Sequence, residues 1–595
     1  MATVKPELSI RDRGALPAVR AASVSRAAAL AAACLTAWLL LPILTPAHLE
    51  GFTAALAALG FHVANGSLPA FDSLQPLNAE YFGLTKLGAV LALAVPIGLG
   101  VGSDLALRLM MWFGLALLLA GSAFLGRRWS GARWWFILPP LVLLPGVVES
   151  AYIYNDNVLS AGLATAGLCF LYARHGLGFV AAGLLLGFAV LTRTDTVLIG
   201  VCVPLILLER FGAGAKSAKA LAAVGASAAA SLMGPLAFFH STIFDVLDVG
   251  SAAIGIWDRP TSGSQALIIA LYFLGPPGLA LVGIGVATLV RERDRLAVAR
   301  LLLTPLVLLV MLYDKLWEIR QLLALTPFLC TLATIGLTAI FEGRENQARQ
   351  WLRLALAALV LICLAGPPSG LRRQDGPRVL TGRVWTVPMW RAWQQAPRHD
   401  LEMLDRLVRS AAPARPLVLF ADEWTEDRYL HLTLLDAGYA PTYPAALAPP
   451  CRPIAERFTK GPSTVLLVRL HHAMVPYWRE IKEERLALWA LPCLRSLPEA
   501  DALFVGTSAH VRALMLSAGQ KPAFGPGEGD PRRIPFVGWA SYGPIVALPL
   551  TPDLQSQLLS GYRREAAELP RKAGRPKPTL REAVAASRRR TGFPG

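Results

Sequence analysis

The chain has 595 residues, of which 54% are hydrophobic and only 16% are charged, and its mean hydropathy is +0.48. A soluble chain would carry about a quarter charged residues, so the composition excludes an ordinary soluble protein and favours a polytopic membrane protein. The net charge of +17 does not indicate nucleic-acid binding, because much of it lies in loops between apolar runs and in a basic tail, residues 571–595.

The N-terminal part of the chain predicts a retained membrane anchor. Residues 1–26 are basic and are assigned to the cytoplasm, and the first apolar span covers residues 27–45. No small-residue cleavage site follows that span, so the pattern of a removed signal peptide is not met. A first outer loop, residues 46–106, comes next. Within it, residues 87–101 form an apolar run interrupted by Pro96. Because a helix needs about 20 residues to cross the hydrocarbon core, this run predicts an interfacial or re-entrant helix.

The apolar runs bring the predicted number of transmembrane spans to about eleven. The spans are predicted at residues 27–45, 107–125, 134–149, 157–173, 177–192, 195–209, 219–239, 266–290, 299–313, 321–341 and 353–367. Loops on one side of these spans hold about three times as many Lys and Arg residues as loops on the other side. Because basic loops stay in the cytoplasm, the N-terminus is predicted to lie inside and the C-terminal region outside.

Most polar residues near the span ends fall on the predicted outer side. They are Glu50, Asp156, Arg193, Asp195, Asp258, Lys315, Glu318 and Arg320. Charges near a bilayer are costly and mark functional positions, so a one-sided set of acids and bases predicts a reaction site at one membrane surface. The pattern therefore indicates a membrane enzyme.

The C-terminal region predicts a different kind of structure. Short β-like runs at residues 416–420, 463–470 and 502–506 alternate with helical patterns, which predicts a soluble α/β domain over residues 368–570. The tail, residues 571–595, is predicted to be a disordered basic extension, with binding to anionic lipid or polysaccharide as the alternative. The fold class is thus a polytopic α-helical membrane protein, with about eleven transmembrane helices and a C-terminal α/β domain.

The order of loops in residues 27–367, the predicted transmembrane domain, resembles a known family. The features that carry the resemblance are the outer loop at 48–60, the segment 76–82 before the interfacial helix, the motif region 154–161 and the helix at 181–193. They resemble the GT-C glycosyltransferases, multispan enzymes that include protein O-mannosyltransferases, lipid A aminoarabinose transferases and rhizobial lipopolysaccharide galacturonosyltransferases.

The resemblance implies a site and a reaction. In the family, an acid at the start of the first outer loop is catalytic, and Glu50 occupies that position where many members have Asp. Asp156 matches a second acid, and Arg193 and Arg320 match basic residues before later spans. The implied donor is a sugar linked through phosphate to a polyprenyl chain. One carboxylate would take the acceptor proton, and fixed cations would stabilise the departing phosphate, with inversion at the sugar carbon.

Several candidates have a structural alternative. Glu50 could cap the helix that starts near Gly51, and Asp156 could be a helix N-cap. Arg193 and Asp195 could form a structural ion pair. The other predicted substrate-binding residues are Lys315, Glu318 and Arg320, which could instead anchor span ends, and Trp257, Asp258 and Arg259, which could instead turn the chain.

The sequence says less about the cofactor and the partners. His48 and the pair His471 and His472 lack metal-ligand spacing, so the sequence leaves a divalent metal ion open. The predicted partners are the polyprenyl-phosphate donor, membrane lipids and an envelope glycan, lipid or protein acceptor, met at the outer face of the cytoplasmic membrane. Three alternatives remain: a transporter or flippase, a non-catalytic envelope assembly protein, and a ligase that uses a diphosphate-linked donor.

Overall fold

The structure is a computed structural model. It describes residues 48–49, 51–66, 83–133, 136–144, 146–147, 150, 153–256, 263–292, 295–311, 319–341, 417–421, 427–436, 438, 440–442, 464–469, 501–507 and 545–549.

The described part of the chain before residue 342 is almost entirely helical. Its α-helices are α1 (Gly51–Ala64), α2 (Leu87–Gly98), α3 (Ser103–Ser130), α4 (Leu138–Leu143), α5 (Asp156–Phe170), α6 (Leu177–Thr192), α7 (Cys202–Phe211), α8 (Ala215–Phe238), α9 (Ile243–Ile256), α10 (Gly263–Glu292), α11 (Arg295–Val298), α12 (Thr304–Met311) and α13 (Thr326–Phe341). Two 3-10 segments, Thr194–Val201 and Ile319–Leu325, and one π-helical segment, Ala299–Leu303, lie between them.

Helix lengths test part of the span prediction. Within the described residues, Ser103–Ser130, Ala215–Phe238 and Arg320–Phe341 are each long and apolar enough to cross a membrane, and α10 would add a fourth span across a bend. That bend is at Gly275, whose φ of 63° suits glycine. The α2 helix has 12 residues, which agrees with a run too short to span. The spans predicted at 27–45 and 353–367 lie outside the described residues, so eleven remains a prediction.

The region predicted as one span over residues 195–209 has a different form. It begins as the 3-10 segment Thr194–Val201 and becomes α-helical only at Cys202. An α-helix therefore covers only the second half of this predicted span. Arg193 before it is extended, with φ −151° and ψ 120°, so the chain turns sharply after α6. The change from 3-10 helix to α-helix cannot be predicted from an apolar run, because the hydropathy of the run is the same in both.

The bundle packs through small residues at its helix crossings. A methyl group at Gly114 of α3 would lie 2.7 Å from the Cα of Leu159 in α5, and one at Gly162 would overlap the backbone of Gly114. Gly285 and Gly336 make the same kind of close crossing between α10 and α13. Because lipid offers no hydrophobic drive for helix pairing, close backbone approach supplies much of the packing energy. In α5, every residue from Asp156 to Leu168 is buried, so this helix lies at the centre of the bundle.

The segments around the first outer loop meet the N-terminal end of α5. Strand β1 (His48–Leu49) pairs in parallel with β2 (Ile153–Tyr154), so that Leu49 lies opposite Tyr154. Helix α1 packs against α2. This arrangement brings the start of the first outer loop beside the residues that lead into α5.

A small sheet forms in the C-terminal region. Its strands are β3 (Leu417–Ala421), β4 (Ala440–Thr442), β5 (Thr464–Arg469), β6 (Asp501–Thr507) and β7 (Ile545–Pro549), in the order β4-β5-β3-β6-β7. All neighbours are parallel except β6 and β7. The three runs predicted as strands overlap β3, β5 and β6.

One helix of the C-terminal region touches the membrane half. Helix α14 (Asp427–Asp436) packs against α1, where the Nε2 atoms of His62 and His431 are 3.1 Å apart. The Ser103 hydroxyl, at the start of α3, donates a hydrogen bond to Asp436. Buried Leu432 and Leu435 complete the contact. No pattern in the sequence indicates this docking.

A group of arginines and aromatic rings surrounds the C-terminal end of α5, and we name it the Arg300 cluster. It consists of Trp129, Tyr172, Glu209, Arg210 and Arg300. Arg300 is buried, pairs with Glu209 and lies 5.0 Å from the centre of the Trp129 ring. The Trp129 ring nitrogen donates to the Tyr172 hydroxyl at 2.7 Å. Arg210 donates to the carbonyls of Leu171 and Ala173, so it caps the last turn of α5.

Candidate active site

Asp156 is held at the first turn of α5 by its neighbour. The Asn155 side chain accepts a hydrogen bond from the Val158 N–H at 3.1 Å and donates to the Ser150 carbonyl at 3.0 Å. Asn155 is therefore the N-cap, and the alternative in which Asp156 caps the helix is wrong. As the first residue of α5, Asp156 lies where the helix dipole favours a negative charge.

Lys86 is the nearest cation to Asp156. Its Nζ lies 2.5 Å from Asp156 Oδ2, and the two side chains are only 13% and 8% exposed. Lys86 directly precedes α2, which packs closely on the end of α6: a methyl group at Gly88 would be 2.7 Å from the Thr192 nitrogen. Lys86 was not among the site residues predicted from the sequence.

Arg193 lies between two carboxylates. Its Nη1 is 3.7 Å from Asp156 Oδ2, while its Nε and Nη2 donate to the two oxygens of Asp195 at 3.1 and 2.7 Å. The bidentate geometry fixes the plane of the guanidinium. The ion pair with Asp195, which the sequence offered as an alternative, thus exists together with the contact to Asp156.

Arg320 completes the group, which we name the Asp156 cluster: Lys86, Asp156, Arg193, Asp195 and Arg320. Arg320 begins the turn before α13, is 8% exposed and acts electrostatically on both Lys86 and Asp156. The three cations outweigh the two carboxylates, so the cluster carries a net positive charge. Close cations stabilise the ionised form of Asp156 and make it a weak proton acceptor.

A cavity opens beside the Asp156 cluster. It is a small, partly open cavity between α5, α12 and the two 3-10 segments. Arg193, Asp195 and Arg320 line it together with Gln321 and Asn157. Along one wall, the Ser160 hydroxyl donates to the Ala189 carbonyl and is 2.5 Å from the Thr196 hydroxyl. The cavity thus offers cationic donors at one side and neutral polar groups at the other.

The structure brings together four of the predicted site residues: Asp156, Arg193, Asp195 and Arg320. The others lie outside the described residues; they are Glu50, Trp257, Asp258, Arg259, Lys315 and Glu318. Within the described part of the chain, no three His, Cys, Asp or Glu side chains are grouped so that they could hold a metal ion. Lys86, Asn157, Ser160, Thr196 and Gln321 are additional polar residues that sequence reasoning did not select.

Comparison with known proteins identifies the fold. No protein-family model matches the sequence, and no curated protein matches it. Among solved structures, ArnT from Cupriavidus metallidurans bound to undecaprenyl phosphate is similar with a TM-score of 0.50 and 14% identity, over 90% of this chain and 99% of that one. ArnT in the apo state gives 0.48 at 14% identity, with the same coverage.

An archaeal structure is also similar. The Archaeoglobus fulgidus oligosaccharyltransferase tethered with an acceptor peptide gives a TM-score of 0.43 and 11% identity, over 83% of this chain and 70% of that one. The ArnT structure covers most of this chain, and it confirms at the level of the fold the resemblance seen in the loops. The chain is a helical membrane protein with the fold of the GT-C glycosyltransferases.

Proposed function

We propose that the protein is a membrane glycosyltransferase, which moves a sugar from a polyprenyl-phosphate donor to an acceptor hydroxyl with inversion. The observation that carries the proposal is the buried Asp156 cluster beside a cavity at one end of the bundle. ArnT, which shares the fold, was solved with undecaprenyl phosphate, and this supports a donor of the same chemical class.

The cations of the cluster suit the leaving group. When the bond between the sugar carbon and the phosphate oxygen breaks, negative charge grows on the polyprenyl phosphate. Arg193 and Arg320 line the cavity and present guanidinium donors that match phosphate oxygens. Lys86 adds a third positive charge nearby. Fixed cations of this kind stabilise the transition state more than the ground state.

We assign the proton acceptor to Glu50 and a positioning role to Asp156. The Asp156 carboxylate is engaged by Lys86 and Arg193, so it orients these cations and is a poor base. Leu49, directly before Glu50 in the chain, pairs with Tyr154, two residues before Asp156. This pairing supports a place for Glu50 at the same end of α5. Glu50 would take the acceptor proton as the acceptor oxygen attacks the sugar carbon and polyprenyl phosphate departs.

The remaining assignments belong to the same proposal. The membrane domain comprises residues 27–367, and the region 368–570 is an extracytoplasmic α/β domain near the acceptor. The reaction takes place at the outer face of the cytoplasmic membrane, on an envelope glycan, lipid or protein. Trp257, Asp258 and Arg259 contact the sugar, and Lys315 and Glu318 lie in the loop that leads to Arg320.

The test is release of polyprenyl phosphate by the purified protein. A panel of polyprenyl-phosphate sugars is supplied with envelope extract as acceptor, and Glu50→Gln, Asp156→Asn and Asp104→Asn are assayed beside the wild type. Asp104 is a matched control, because it is 58% exposed and pairs with Arg108 on the helix surface. We expect turnover of one donor that Glu50→Gln and Asp156→Asn abolish and Asp104→Asn leaves unchanged.

Other outcomes separate the alternatives. Turnover only of diphosphate-linked donors would replace the proposed donor by that class. Movement of a labelled donor across vesicle membranes without cleavage would favour a flippase. Wild-type turnover by Glu50→Gln would remove Glu50 from the mechanism.

A further inference from the structure

Two asparagines flank Asp156, and only one of them has a structural task. The carbonyl oxygen and the amide nitrogen of Asn155 are both hydrogen-bonded, as the N-cap of α5 and to Ser150. Asn157 is equally buried, at 4% exposure, but its Oδ1 has no hydrogen-bond partner among the described residues. Buried side-chain oxygens nearly always have a partner, so the unpaired Oδ1 calls for an explanation.

Asn157 also lines the cavity beside the Asp156 cluster. Because no protein hydrogen bond holds Oδ1, the amide can turn its oxygen towards a bound molecule without losing one. A ligand that donates to this oxygen would remove the cost of an unpaired buried acceptor. A hydrogen bond to the Asn157 oxygen would therefore stabilise the complex of the protein with a ligand bound in the cavity.

The chemistry of the oxygen restricts what it can bind. An amide oxygen accepts hydrogen bonds, and so do the oxygens of an ionised phosphate, so the two do not pair. Phosphate oxygens instead match the guanidinium groups of Arg193 and Arg320 in the same cavity. The partner of Asn157 must be a donor carried close to the phosphate. On a sugar phosphate, the nearest such group is the hydroxyl beside the carbon that bears the phosphate.

We propose that Asn157 accepts a hydrogen bond from a hydroxyl of the donor sugar, and that this contact selects donors that keep the hydroxyl next to the anomeric carbon. The inference rests on the proposed function and adds to it a residue that determines sugar specificity. Arg193 and Arg320 hold the phosphate, and Asn157 identifies the sugar attached to it.

The test combines variants of Asn157 with modified donors. Wild type, Asn157→Leu and Asn157→Asp are assayed with the preferred donor and with its 2-deoxy and 2-deoxy-2-fluoro analogues. We expect the wild type to lose about 10- to 100-fold in kcat/KM when the hydroxyl is absent, as sites that pair with a substrate hydroxyl do. Asn157→Leu should lose as much with the natural donor. Its preference for the natural donor over each analogue should be about 10- to 100-fold below that of the wild type, a comparison in which the intrinsic effect of the substituent on reactivity cancels. Asn157→Asp, which keeps an acceptor, should retain part of the preference.

Thermal unfolding of the same variants separates recognition from folding. Asn157→Leu should unfold at the wild-type temperature or above, because it removes an unpaired buried polar atom, whereas Asn155→Leu should unfold at a lower temperature. An equal loss of stability in the two variants would overturn the proposal. So would unchanged discrimination by Asn157→Leu while the wild type is active, since a water molecule would then satisfy Oδ1. If the wild type itself turns over no donor, the proposed function fails, and the inference fails with it.

Discussion

Arginines lie near both ends of α5, but their neighbours differ. With 15 residues, α5 separates the Asp156 cluster from the Arg300 cluster by about 22 Å. At the Arg300 end, guanidinium groups lie over aromatic rings and cap helix carbonyls. At the Asp156 end, cations meet carboxylates beside a cavity. A buried arginine alone therefore does not identify a reaction site; what surrounds it does.

Lys86→Met should have the largest effect, a loss of turnover per folded molecule at the Asp156 end. It removes a cation 2.5 Å from Asp156 and leaves Arg193 at 3.7 Å. We expect kcat/KM for the donor to fall about 100- to 1,000-fold, the usual cost of losing one fixed transition-state charge. Lys219→Met, the same substitution on the exposed surface of α8, is the control. Wild-type turnover by Lys86→Met would separate Lys86 from the reaction.

Gly114→Ala should disturb both ends of α5 together. The added methyl group would meet the backbone of α5, which cannot move aside as a flexible side chain could, so α3 and α5 must separate. We expect the free energy of unfolding to fall by about 2–3 kcal/mol, with a loss of activity. Gly225→Ala, on α8 with open space around it, should be neutral or stabilising by up to about 1 kcal/mol. Chemical unfolding in detergent measures the free energy of unfolding of both variants. Equal effects of the two substitutions would show that the close contact of α3 with α5 at Gly114 does not matter for stability.

Arg300→Met should act on stability and not on catalysis. Arg300 is 3% exposed, while its partner Glu209 is 36% exposed and stays hydrated after the change. The cost should therefore be below that of breaking a fully buried pair, about 2 kcal/mol of unfolding free energy. Turnover per folded molecule should not change. A loss of kcat without loss of stability would place the Arg300 cluster in the catalytic machinery.

Acidification should give the smallest effect, at the docking of α14 on α1. Burial lowers the pKa of His62 to about 4, and burial together with the charge of His62 lowers the pKa of His431 well below its usual value. Docked histidines thus stay neutral while undocked ones take up protons below about pH 6.5, so docking is stable at neutral pH and weakens as the pH falls. Between pH 7 and pH 6 we expect about a threefold weakening from each histidine, and so about a tenfold weakening of docking, or about 1.4 kcal/mol.

Hydrogen exchange of residues 427–436, corrected for its intrinsic pH dependence, measures this docking. His62→Gln should reduce the pH dependence, because its side chain does not titrate. Exchange in the wild type that is independent of pH would contradict the docking of neutral histidines.

Much of the bundle could be predicted from sequence, because apolar length and basic loops follow directly from the bilayer. The α6 helix coincides with its predicted range, and α3 and α8 contain most of theirs. The 3-10 start at Thr194 and the π-helical turn from Ala299 could not be predicted, since hydropathy does not distinguish helix types. These breaks depend on tertiary packing.

The site was predictable where charge interrupts apolar sequence. Asp156, Arg193 and Arg320 stand out at span ends, and the structure gathers them. Lys86 was missed because it precedes an apolar run that is too short to span, so it does not stand out as a charge at a span end. Asn157 was missed because a sequence shows an amide and does not show whether the amide has a partner.

The ion pair between Lys86 and Asp156 joins positions that are 70 residues apart in the chain. Because loss of either partner leaves a charge without compensation in a buried place, a change at one position is tolerated mainly when the other changes with it. Positions 86 and 156 should therefore covary among relatives of this protein, exchanging or losing their charges as a pair. Covariation of these two positions in aligned sequences would then mark the site, which one sequence alone cannot do.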